Sequence, residues 1–110
     1  MAEAASLQER IRPTASKRVL FLPHAVRQSS RPERMISTAE VREVLIRGVV
    51  VEEYPADPRE PSALLLGHGQ GGRAIHVVTA PKQKYAAVIT AYVPDTALWN
   101  DEMKTRRQPQ

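Results

Sequence analysis

The sequence predicts an α+β domain with N-terminal helices packed on a four-stranded antiparallel sheet and a short helix at the C-terminal end. Three observations carry that expectation. Residues 36–41, ISTAEV, place Ser37 at an N-cap, Glu40 three residues later and Ile36 and Val41 at staple positions, so a helix opens there. Four runs with strand character follow, at residues 49–54, 62–66, 74–79 and 85–93. The links between them are rich in proline and glycine, which interrupt regular structure and turn the chain.

Taken in order, residues 1–17 read as a loose polar, alanine-rich tail, because Pro13 interrupts any helical pattern. The weaker alternative is a short docking turn through Leu7 and Ile11, which share helical spacing. Residues 18–107 form the expected single domain. Val19 to Leu22 is an apolar run, and Pro23 suits the first position of a helix over residues 24–30 that Pro32 stops. If that helix continues to residue 31, His24, Arg27 and Arg31 share one face. The capped helix covers residues 38–47, with Val41, Val44 and Leu45 as its apolar stripe and Gly48 as its stop. Pro55, Pro58 and Pro61 stiffen the link after the first strand, and the glycine-rich stretch at 67–72 reads as a hairpin loop using positive φ. A short helix at 96–103 carries Trp99, and the basic end KTRRQPQ reads as frayed.

Alternation sorts the last two strands. Ile75 and Val77 point one way, and Ala74, His76 and Val78 the other; Ala87, Ile89, Ala91 and Val93 form an apolar row opposite Val88, Thr90 and Tyr92. The register that buries the two apolar rows together sets His76 on one face with Thr90 and Tyr92. That mixed face is the expected functional surface.

Composition narrows the classes. One chain of 110 residues supports one small core, 42% of it is hydrophobic, and no apolar run reaches membrane-spanning length. The N-terminal residues have no apolar stretch of a secretory signal, and the absence of cysteine excludes disulfides and thiolate metal sites, so a cytoplasmic home is expected. A formal charge of +4 suits an acidic partner such as RNA.

The glycines at 67–72 lead into a strand and lack the Lys-Ser/Thr of a phosphate loop. His24, His68 and His76 match no metal-ligand spacing, and no Ser-His-Asp set is visible, so no metal or other cofactor is expected. What remains is metal-free acid–base cleavage of RNA, which needs a base for the 2′-hydroxyl, an acid for the leaving oxygen and cations against the developing charge. His24, His76 and Tyr92 supply the proton-transfer types, and Arg34 with Arg27 or Arg31 supplies the cation. Arg73, Lys82 and Lys84 are expected to hold the RNA strand. The alternative for His76 is a structural histidine, for Tyr92 an amphipathic residue at the sheet rim, and for Trp99 a lid over the sheet.

The blocks PHA at 23–25, RMIS at 34–37, GVVVEEYP at 48–55, PSALLLG at 61–67, IHVV at 75–78 and ITAYVPD at 89–95, with Trp99 beyond, recur in an order that resembles the bacterial family named domain of unknown function 4258. The resemblance covers roughly residues 20–107. It implies a fold similar to the BrnT and RelE toxins of toxin–antitoxin systems, which cleave RNA without a metal, and an antitoxin protein as a partner. On this resemblance the family's helix histidine falls on His24, its strand histidine on His76, and its TxYxPD end on Thr90, Tyr92, Pro94 and Asp95. The family's Arg-Met pair after the first histidine is displaced: position 28 is Gln, Arg27 stands one residue early, and only Arg34 keeps its place before the cap. The rival class is a non-catalytic RNA- or protein-binding module. A homodimer through the edge of residues 49–54 is a further expectation, since an unpaired edge invites pairing.

Overall fold

A computed structural model describes residues 7–29, 35–55, 61–95, 98–100 and 103–104. Its frame is one sheet covered on both faces. The helices are α1 (Leu7–Lys17), α2 (Pro23–Ser29) and α3 (Thr38–Arg47), and the strands β1 (Val19–Phe21), β2 (Val49–Tyr54), β3 (Ser62–His68), β4 (Ala74–Pro81) and β5 (Ala86–Tyr92). Among the described residues no helix is long and apolar enough to cross a membrane.

The sheet has five strands, not four, in the order β1-β5-β4-β3-β2. The antiparallel meander of β2 to β5 is as expected. The fifth strand is the run after Lys17, which pairs parallel to β5 with Val19 opposite Ala86 and Phe21 opposite Val88. Three residues are too short to announce a strand by alternation. Hydrogen bonds from Ala86 N–H to the Arg18 carbonyl and from Leu22 N–H to the Val88 carbonyl extend the pairing at each end.

The expected tail is instead helical from Leu7 onward. Leu7 and Ile11 enter the core, Ile11 almost completely, which is the weaker alternative the sequence offered. Pro13 forfeits one helical bond, but Thr14 donates its hydroxyl to the Arg10 and Ile11 carbonyls and Ser16 donates to Arg12. Two arginines fasten the helix to its neighbours. Arg12 Nε donates to the Ile46 carbonyl at 2.6 Å, one of the carbonyls α3 leaves unpaired at its end, and Arg10 reaches β4. Burial of the Leu7–Ile11 stripe outweighs the local cost of the proline.

Helix α3 forms as the sequence predicts. Ser37 accepts from Glu40 N–H, Glu40 accepts from Ser37 N–H, and Ile36 and Val41 both join the core. Gly48 ends it in an extended conformation at φ −72°; a Cβ there would strike the Val44 and Leu66 carbonyls, so close approach rather than left-handed φ demands glycine. Positive φ appears in the β3–β4 loop, at Gly71 and Gly72.

Two bulges redistribute the faces. Val78 pairs with Thr90 but Thr79 pairs with Val88, so Ile89 is the extra residue of β5. The expected single apolar row of β5 therefore breaks: Ala91 faces the helices, and below the bulge Val88 and Ala86 do so instead of Ile89 and Ala87. The Thr79 hydroxyl donates to the Ala87 carbonyl at 2.8 Å and anchors the irregular step. Val51 is the extra residue of β2. That bulge, with Glu52 and Glu53 on the same edge strand, works against the expected edge-to-edge dimer.

The core thus lies between α1, α3 and one sheet face bearing Ala63, Leu65, Ile75, Val77, Val88 and Ala91. The other face carries Leu64, Leu66 and His76, which are also buried, with Trp99 seated beside His76. Residues 98–100 form a turn and a bridge and Met103 a bend rather than helix, and residues 96, 97, 101 and 102 of the expected C-terminal helix lie outside the described residues. Because α1 is part of the core, Ile11→Ala should lower unfolding stability by about 2–4 kcal/mol in urea titration. A value near zero would restore the loose tail.

Candidate functional site

The β4–β5 register sets His76 directly opposite Tyr92, on the face predicted from alternation. The His76 ring is fully buried. Its Nε2 lies 2.8 Å from the Met103 carbonyl, and its Nδ1 lies 3.4 Å from the Tyr92 hydroxyl. A carbonyl only accepts, so Nε2 carries a proton; in the neutral ring Nδ1 is then the acceptor for the Tyr92 O–H. Trp99 meets the imidazole edge-on at 4.5 Å between ring centroids, and Tyr92 does so at 5.4 Å. Trp99 is itself 2% exposed, in keeping with a lid over the sheet. Both imidazole nitrogens are engaged and aromatic rings close the approach, so in this arrangement His76 is held for packing rather than presented to a substrate.

His24 stands exposed on α2, and no hydrogen bond or ring contact joins it to His76 or Tyr92. Arg27 is exposed in the last turn of the same helix. Arg31 and Arg34 lie outside the described residues. Among the described residues, the structure brings together His76 and Tyr92 of the expected acid, base and cation set.

Arg73, expected to hold RNA, is occupied elsewhere. Its Nη2 lies 3.1 Å from Glu40 Oε1 and also donates to the Met35 carbonyl. Glu40 accepts in addition from the backbone N–H groups of Ser37 and Gln70. Burial pushes the Glu40 carboxyl up, but those two backbone donors and the Arg73 guanidinium reverse the shift and hold its pKa at about 2. The same carboxylate explains Gly69, where a Cβ would land on Glu40 Oε2. The capping box announced Glu40 in the sequence; its second task, across 33 residues to Arg73, had no local signal.

Lys82 and Lys84 sit in the β4–β5 turn, where Lys82 N–H donates to the Tyr85 carbonyl. They line an open groove of about 490 Å³ together with Arg10, Pro81, Gln83 and Tyr85. Arg10 is the residue that sequence reading missed, since it belonged to the expected tail. Among the described residues no group of three or more histidines, cysteines or carboxylates is placed to hold a metal ion.

These features define a small α+β domain with a five-stranded sheet, a helical layer on one face and an aromatic-covered histidine on the other. The family described as Domain of unknown function (DUF4258) matches residues 21–93, well over half of the chain, and the chain belongs to that family. The matched span holds α2, α3 and the whole meander, and stops short of both α1 and Trp99. No protein of curated function and no solved structure matches the chain.

Glu40 makes stability depend on acid. Its folded pKa lies below the usual 4.5, so its contribution is complete above that value and disappears as pH falls toward 2. In thermal unfolding across pH 6 to 2, Glu40→Gln should be less stable than the parent at pH 6, with the gap closing in acid. An unchanging gap would remove the carboxylate's charge from the explanation.

Proposed function

We propose that this protein binds RNA through its exposed cations and does not cut it. The observation that supports this reading is the closure around His76. The side chain best suited to proton transfer has both nitrogens engaged and no exposed surface, whereas Lys84, Arg10 and Arg27 are exposed. General acid–base catalysis requires the group to come within hydrogen-bond reach of the proton it moves. Phosphate binding requires only accessible positive charge, and the chain carries 16 Lys and Arg against 12 Asp and Glu.

The second reading is a toxin-like, metal-independent ribonuclease, and the Tyr92 hydroxyl beside His76 Nδ1 favours it. Such an enzyme would have to release Trp99 and Met103 from the imidazole before substrate could reach it. An antitoxin-like protein partner belongs with this reading. Trp99→Ala then becomes the informative variant, because it opens the ring without removing it.

Incubating the protein with a labelled single-stranded RNA in EDTA separates the two. Binding without cleavage predicts a mobility shift that weakens steeply between 50 and 200 mM salt, about the range in which counterion release is read. It predicts intact RNA with both the parent and Trp99→Ala. Cleavage by either protein that vanishes on His76→Ala, with the fold retained, would establish the ribonuclease instead.

The closure also sets an expectation for stability. His76→Ala leaves a cavity between Trp99 and Tyr92 and should cost about 3 kcal/mol in chemical unfolding. An unchanged midpoint would show that the imidazole is not a packing element.

A further inference from the structure

We propose that the groove between α1 and the β4–β5 turn is a binding site for single-stranded nucleic acid, with Arg10, Lys82 and Lys84 on the phosphates and Tyr85 beneath a base. This rests on the RNA-binding reading and gives it a place on the molecule.

Four observations converge there. Among the described residues, the groove lining carries three cationic side chains and no carboxylate. Arg10 is held in position by one bond, from Nη2 to the Pro81 carbonyl at 2.9 Å. A guanidinium has five N–H donors in a fixed fork, so that anchor leaves donors available for an anion. The turn is closed by the bond from Lys82 N–H to the Tyr85 carbonyl, so both lysines and the tyrosine project from one short, fixed piece of backbone. Tyr85 is half-buried, which gives an aromatic face at the wall of a positively charged groove. Stacked bases above a line of cations are how single strands are held without sequence preference.

The groove is also built from tertiary structure. Arg10 reaches it because Leu7 and Ile11 dock α1 into the core. Arg10 precedes the span matched to the family, whereas Lys82, Lys84 and Tyr85 lie inside it, so the complete site joins residues from within and outside that span.

The test uses the whole protein and a fluorescent ten-nucleotide oligouridine, with affinity measured by anisotropy at several salt concentrations. Three phosphate contacts predict a slope of log affinity against log salt of about −2. The double variant Lys82→Ala, Lys84→Ala should reduce that slope to about −0.7 and weaken binding at least tenfold at low salt. Tyr85→Ala should weaken oligouridine binding about tenfold and leave the slope unchanged. Lys84→Glu, at an exposed position, guards against loss of fold, and Arg42→Ala on α3 serves as the distant cation control. Each variant's melting temperature is recorded alongside.

Weakened binding and a reduced slope in folded lysine variants, with Arg42→Ala like the parent, would support the site. Parent binding that the lysine variants leave unchanged would overturn the groove while RNA binding stands. No binding by the folded parent would overturn both. Displacement by pyrophosphate with no effect of Tyr85→Ala would reduce the groove to a site for phosphate alone and overturn the nucleic-acid assignment.

Discussion

The carboxylate of Glu40 ties the helical layer to the sheet. It begins as a local device, closing the capping box on Ser37 N–H and starting α3. Its other contacts reach the Gln70 N–H and the Arg73 guanidinium, in the loop that joins β3 to β4. A buried carboxylate is costly unless its oxygens are satisfied, and here charge-assisted donors from two directions satisfy them. The register of the central strands follows from that loop, because Gly69 N–H donates to the Arg73 carbonyl and β4 begins at the next residue. Removing the carboxylate would leave Arg73 at the sheet end without its anion and α3 without half of its cap.

From that clamp the two faces acquire different characters. Beneath α1 and α3 the sheet presents small and branched apolar side chains, and the buried Thr14 and Thr79 hydroxyls there donate to backbone carbonyls. On the opposite face His76 is buried beside the apolar Leu64 and Leu66, and Ser62 is buried at the start of β3; a polar ring in such a layer needs partners. The Met103 carbonyl and Tyr92 hydroxyl provide them, and Trp99 excludes water from the imidazole. The same residues that look like a proton-transfer set in a one-dimensional reading thus satisfy each other in three dimensions.

Much of the scaffold was legible locally. Helix α3 came from Ser37, Glu40 and the Ile36–Val41 staple, because a capping box is a contact among neighbours along the chain. That His76 and Tyr92 share one face came from alternation in β4 and β5, because strand faces follow a period of two; their direct opposition came from the register. The misreadings were all non-local. The Ile89 bulge exchanged the faces of Val88 and Ala87 without any mark in composition. Pro13 argued against α1 until the burial of Leu7 and Ile11 was counted.

The sequence alone determined that there would be a capped helix followed by an antiparallel meander, since propensity, capping and alternation are properties of adjacent residues. It also determined which side chains could carry charge or protons. Tertiary structure alone decided that Val19–Phe21 joins the sheet beside β5, that Arg73 belongs to Glu40, that His76 is enclosed and that Arg10 meets Lys82 and Lys84. Each of these depends on segments far apart in the chain meeting in one place. The free energy that brings them together comes from burying the two sheet faces, and no short window of residues contains that term.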